Sequence, residues 1–192
     1  MRYVIIPGYG GSGPDHWQDK WQRAWGDGAI RIRPESWDKP DLDDWCAALD
    51  RAADTVRQAG EDLVLVAHSL GCLATAAWLG EPRPGVRGAF LVAPPSVASA
   101  RFPRTEAASF VPVVHTRLTT PTLVVSSDDD PYCDPETARQ LTVIWNAGLV
   151  SVGRAGHINA ASGLGMWPFG QALLAAFVAG TGLGTDARVL DS

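Results

Sequence analysis

The chain has 192 residues, of which 46% are hydrophobic and 19% charged, and its formal net charge is −5. That balance describes one globular domain with a sizeable core and excludes disorder along the whole chain. The negative balance, without a lysine or arginine cluster, provides no long-range attraction for nucleic acid or an anionic membrane, and neither is an expected partner.

Apolar runs alternate with amphipathic stretches along the sequence, the pattern of strands and crossover helices in a mostly parallel sheet. "YVIIPG" at the amino end predicts the first strand, and its apolar run, Tyr3 to Ile6, is too short for a signal-peptide core, so secretion is not expected. "DHWQDKWQRAW" follows, with Trp17, Trp21 and Trp25 at i, i+4 and i+8 on one helical face. "AIRIRP" predicts a short second strand. In "PDLDDWCAALDRAADTV" the apolar side chains Leu42, Trp45, Cys46, Leu49 and Val56 form a helical stripe, and Asp41, Asp43 and Asp44 crowd the amino-terminal turn where the macrodipole favours anions.

"DLVLVAH" is the third strand, Leu70 to Leu79 a helix, and "VRGAFLVAP" a fourth strand with the continuous apolar character of a sheet covered on both faces. Residues 94–120, rich in proline and serine, receive no element and are expected to shape the substrate pocket. "PTLVVSS" is a fifth strand, and Asp134 before Pro135 reads as an N-cap and first helical residue of a helix to about Trp145. "GLVSVG" is a sixth strand, and Phe169 to Val178 the last helix, whose dense apolar part, Leu173 to Val178, is far too short to span a bilayer. A single domain over residues 1–180 with a flexible tail over 181–192 is expected. Cys46, Cys72 and Cys133 have neither C-x-x-C nor metal-ligand spacing, so no disulfide framework and no metal site is expected, and a reducing cytoplasm fits.

The stretch "LVLVAHSLGC" (63–72) ends a predicted strand on a serine and begins a predicted helix. A serine nucleophile raised on a strand-to-helix turn needs small residues two before and two after it, because strand and helix cross there. Ala67 and Gly71 meet that need around Ser69, with alanine where the first glycine usually stands. The competing reading is that Ser69 merely caps the helix. An acid is expected at the end of a later strand, where "SSDDDP" offers Asp128, Asp129 and Asp130. Asp130 is preferred because the residue before proline is held extended, and Asp129 is the runner-up. His157, in "GRAGHIN" beyond the sixth strand, is the only histidine after the acid and completes the order Ser, Asp, His.

Two backbone N–H donors are expected for the oxyanion: Leu70, directly after the serine, and Tyr9, in the glycine loop "PGYGGSG" after the first strand. That loop also spells G-x-G-x-x-G through Gly8, Gly10 and Gly13, a nucleotide-loop string whose acidic partner would be Glu35; this is a minor reading. Of the other histidines, His16 reads as a helix cap or a partner of Trp17 with substrate contact as the alternative, His68 as pointing away from the site, and His115 as an ordinary strand or loop residue. Trp37, Trp78, Trp145 and Trp167 read as core, with Trp167 as a candidate pocket wall.

The motifs "PGYGGSGPDHWQDKW", "SWDKPDLDDW", "AHSLGC", "SSDDDPYC" and "GHINAASGLGMWPFG", spread over nearly the whole length, resemble those of small single-domain α/β-hydrolases in the family of retinoblastoma-binding protein nine and its bacterial relatives. The resemblance implies an α/β-hydrolase fold with a minimal lid and about six strands, with Ser69 as nucleophile, Asp130 as acid and His157 as base. It also implies a serine hydrolase acting on a small-molecule ester or amide, with no metal or organic cofactor. The pocket-protein partner of that family's name is not carried over, and the sequence leaves protein partners unknown. A non-catalytic binding domain on the same fold is the rival reading, against which the presence of Ser, Asp and His together argues.

Overall fold

The strand Leu63–His68 (β3) is buried at every position, which is why its sequence shows no polar alternation: both faces of the sheet are covered. In the computed structural model, which describes residues 1–112 and 117–182, it pairs with Arg2–Ile6 (β1) on one side and Val86–Val92 (β4) on the other. Ala29–Arg31 (β2) lies outside β1, and Thr122–Ser126 (β5) and Gly148–Ser151 (β6) follow β4. The order is β2-β1-β3-β4-β5-β6, with every neighbouring pair parallel. This is the expected six-stranded parallel sheet of an α/β-hydrolase.

Five helices cover it: Trp17–Trp25 (α1), Leu42–Gln58 (α2), Leu70–Trp78 (α3), Pro135–Trp145 (α4) and Pro168–Thr181 (α5). Side chains of α2, α3 and α4, among them Trp45, Leu49, Leu73 and Trp145, pack on Val4, Leu65 and Leu91 from one face. Trp17 and Trp21 of α1 and Leu174 of α5 pack on Ile5, Val64, Val66 and Phe90 from the other. The expected N-cap forms at Asp134, which accepts the N–H of Thr137 at 2.9 Å, and Asp41, one of the aspartates crowding the start of α2, caps it by accepting the N–H of Asp44 at 3.1 Å.

Trp167, read as core with a pocket-wall role as the alternative, is core. It stacks on Trp21 at 5.7 Å and lies 5.1 Å from Trp17, and it is absent from the cavity lining described below. The last helix, expected to end at Val178, runs to Thr181 with Gly182 as its C-cap. His115, and the remainder of the expected tail, residues 183–192, lie outside the described residues. Among those described, no helix is long and apolar enough to cross a membrane.

Strand order reverses between β1 and β3: the chain leaves β1 toward β2 and returns to β3 on the opposite side. In parallel sheets such a switch opens a crevice at the carboxyl ends of the strands. Gln18, fully buried, ties that end together, its Nε2 donating to the carbonyls of Ile6 at 3.1 Å and Val66 at 3.0 Å.

Candidate active site

Ser69 sits directly at the switch point, between β3 and α3, with φ 53° and ψ −126°. Positive φ is disfavoured for serine, so the turn persists only because its surroundings over-determine it. Those surroundings leave no volume to spare. A Cβ on Gly71 would lie 2.4 Å from the Pro7 carbonyl oxygen and 2.6 Å from that of Ile6, and one on Gly8 would lie 2.7 Å from the Ser69 Cβ. Among the glycines of the first loop, Gly8 therefore serves the serine turn, while Gly11 faces Trp37 and a Cβ on Gly10 or Gly13 would meet nothing within 4 Å. These glycines do not open onto a helix amino-terminus, since α1 begins only at Trp17.

The Ser69 side chain makes no cap bond to α3, which removes the capping reading. Its Oγ lies 2.8 Å from His157 Nε2, and His157 Nδ1 lies 2.9 Å from each carboxylate oxygen of Asp130. With a carboxylate on Nδ1, the ring proton sits there, and Nε2 is free to accept from the serine hydroxyl. Asp130 and His157 are both buried, and Asp130 Oδ1 also accepts the Tyr132 N–H at 2.9 Å. The structure thus brings the three sequence-selected residues into one hydrogen-bonded line.

Asp129, the runner-up, faces the loop instead of the imidazole. Its Oδ1 accepts the Gly156 N–H at 2.8 Å and the Ser127 hydroxyl at 2.9 Å, and these bonds, the Gly156 amide foremost, hold its carboxyl below the usual range. Asp128 accepts the Ser151 hydroxyl at 2.6 Å. The three adjacent aspartates therefore have three different jobs.

For the expected oxyanion donors, Gly10 N–H is spent on Trp37 O and Gly11 N–H on Gly8 O, both at 3.0 Å. The Tyr9 amide has no such partner among the described residues, and Leu70, first residue of α3, has no intrahelical one. Tyr9 and Leu70 both line the cavity over Ser69. This cavity, of about 490 Å³, is further walled by Arg101, Phe102, Tyr132 and His157. Its roof comes from the segment that received no element in the sequence, where a short 3-10 turn, Ala108–Phe110, is the one regular element among the described residues.

His68 corrects an expectation. It does not point away: its Nε2 donates to the His157 carbonyl at 2.9 Å, its ring lies 5.0 Å from that of His157, and it lines the cavity. Burial drives its pKa well below the ordinary histidine value, so the ring is neutral. The available signal was its place, one residue before the nucleophile candidate at the end of a buried strand. His16 caps α1 through Nδ1, which accepts the Gln18 N–H at 3.2 Å, and its ring lies 5.3 Å from that of Trp17.

The cysteines are poor nucleophiles here. Burial pushes Cys133 up to about 12 and Cys46 up to about 11, and raises Cys72 well above the thiol range, so none is a thiolate near neutrality. No group of three or more His, Cys, Asp or Glu among the described residues is arranged to hold a metal ion.

Comparison with known proteins bears on this geometry. Residues 3–176 match the family model described as serine hydrolase. A candidate YdeN-like hydrolase from Pectobacterium atrosepticum superposes with a TM-score of 0.80 at 31% identity, covering 94% of this chain and 91% of that one. The ydeN gene product of Bacillus subtilis gives 0.71 at 24% identity, over 93% and 100%. Esterase 2 of Thermogutta terrifontis gives 0.69 at 18% identity, over 95% and 84%, a likeness of fold. No curated protein matches the chain.

Proposed function

The chain belongs to the serine hydrolase family, and from that premise we propose that it cleaves a small ester or amide through an acyl-enzyme on Ser69. The observation that carries this reading is the line Ser69 Oγ, His157 Nε2, His157 Nδ1, Asp130, with contacts of 2.8 and 2.9 Å. The cavity volume of about 490 Å³ suits a small-molecule substrate. The motif set supports membership of the branch that includes retinoblastoma-binding protein nine and its bacterial relatives, and the three unpaired cysteines support a cytoplasmic setting.

In this mechanism His157 Nε2 takes the hydroxyl proton as Ser69 Oγ attacks the substrate carbonyl carbon. Asp130 keeps the Nδ1–H tautomer and stabilises the imidazolium that results. The amides of Tyr9 and Leu70 donate to the tetrahedral oxyanion. His157 then passes its proton to the leaving alcohol or amine, and the C–O or C–N bond breaks. Water, deprotonated by His157, attacks the acyl-serine, the bond from the acyl carbon to Ser69 Oγ breaks as His157 returns the proton to that oxygen, and the acid leaves. The hydrogen bond from His68 to the His157 carbonyl couples the base loop to the residue next to the nucleophile.

The test is labelling of wild type and Ser69→Ala with a fluorophosphonate, with mass mapping of the adduct. Adduct on Ser69 that disappears in a folded Ser69→Ala protein is the expected result. Absence of adduct on folded wild type would favour the binding-domain reading instead.

A further inference from the structure

His16 holds a hydrogen-bond donor that the mechanism above leaves unused. The residue is only 5% exposed. Because Nδ1 accepts the Gln18 N–H, that nitrogen presents a lone pair, and in the neutral ring the proton resides on Nε2. The ring is neutral near pH 7, since burial, aided by the nearby Arg31 and His157 charges, lowers its pKa to about 4. Yet the buried Nε2 has no hydrogen-bond partner among the described residues. A buried unpaired donor is unfavourable and calls for an acceptor that arrives from elsewhere.

Its position says where that acceptor arrives. His16 lines the same cavity as Ser69, His68 and His157, its ring meeting His68 edge-on at 4.6 Å. Its wall of the cavity is the one formed by the glycine loop. The scissile carbonyl oxygen is already provided for by the Tyr9 and Leu70 amides, so the acceptor is a second one on the substrate.

Resting on the proposed serine hydrolase chemistry, we propose that His16 Nε2–H binds a neutral oxygen carried by the substrate besides its scissile carbonyl. The substrate class is then esters or amides bearing an additional ether, hydroxyl or carbonyl oxygen, in preference to plain alkanoyl compounds. A site built around such a donor discriminates against the analogue that lacks the acceptor, because the buried group is left unpaired when that analogue binds.

Isosteric p-nitrophenyl esters provide the test: butyrate against methoxyacetate, and pentanoate against 3-methoxypropanoate, each rate corrected for hydroxide-catalysed reactivity. The wild type is expected to prefer at least one oxygenated partner by roughly tenfold or more. His16→Asn keeps an oxygen for the Gln18 N–H cap while withdrawing the ring donor, and should collapse that preference in kcat/KM. His16→Gln, with a longer amide donor, should restore part of it, which also guards against a poorly folded Asn variant. A structural role alone would lower both esters of a pair in proportion and leave their ratio unmoved, and that result overturns the inference. So does a wild type that labels at Ser69 but shows no oxygen preference in either pair. Failure of wild type to label at all would instead sink the serine hydrolase reading, and this inference with it.

Discussion

The turn that carries Ser69 and the loop that carries His157 meet at 2.8 Å, but different forces hold them. The turn is fixed sterically: Gly8 and Gly71 leave distances of 2.7 and 2.4 Å to any added Cβ, and the strained Ser69 backbone is wedged between strand and helix. The histidine loop is hung on side-chain hydrogen bonds. Ser127 Oγ accepts the Ala155 N–H at 2.8 Å, Asp129 accepts that of Gly156, Trp17 Nε1 donates to Ile158 O at 2.8 Å, and His68 donates to His157 O. The contrast teaches that the position of Ser69 is all-or-none, because overlap energy rises steeply. His157 is held by several contributions of modest size, each removable alone.

The sharpest separation of the two roles in the loop is between adjacent aspartates. Asp130→Asn is expected to lower kcat by about 10⁴-fold, since an amide no longer holds the imidazole tautomer. Asp129→Asn should cost less than about 10²-fold and show mainly as a lower Tm. Equal kinetic losses in the two variants would refute the division of labour.

Next in size is the steric claim about the turn. Gly71→Val should destabilise by more than about 3 kcal/mol in urea unfolding, because backbone carbonyls cannot move aside cheaply. Gly13→Ala, where nothing lies within 4 Å of the new Cβ, should stay within about 0.5 kcal/mol. A tolerated Gly71→Val would mean that the turn is softer than its contacts imply.

The buried histidines predict a pH dependence of comparable scale. The folded-state pKa of His16, about 4, is below its unfolded value near 6.5, so below about pH 6.5 the unfolded chain binds more protons. Stability is therefore full above pH 6.5 and falls as pH drops toward 4, by about 3 kcal/mol from His16, with His68 acting in the same direction. Urea midpoints at pH 7 and pH 4.5 measure it. His16→Asn should flatten the slope, and an unchanged slope would locate the acid sensitivity elsewhere.

Smaller losses should follow when single supports of the histidine loop are cut. Ser127→Ala removes two hydrogen bonds and is expected to cost about 1–3 kcal/mol, with a several-fold fall in kcat. Trp17→Phe removes the bond to Ile158 O together with part of a buried ring packed against Trp21 and Trp167, and should cost about 1–3 kcal/mol. If either matched Gly71→Val in severity, the distinction between wedged turn and suspended loop would fail.

Much of this architecture was legible in order along the chain. Strand runs, the Asp134 cap, the small residues flanking Ser69 and the chain order Ser, Asp, His are local or sequential properties. Apolar periodicity, short-range capping bonds and the steric needs of a strand-to-helix crossing act within a few residues, so the sequence alone determined the fold class, singled out Ser69 and His157, and narrowed the acid to one run of aspartates. Only the tertiary structure decided that Asp130 and not Asp129 reaches the imidazole, that His68 bonds the His157 loop, that Trp167 stays out of the cavity lining, and that His16 Nε2 has no partner among the described residues. Those outcomes depend on where side chains point at the carboxyl edge of the sheet. Partners 27 or 89 residues away in the chain, such as Asp130 with His157 and His68 with His157, set those directions, and no local preference encodes them.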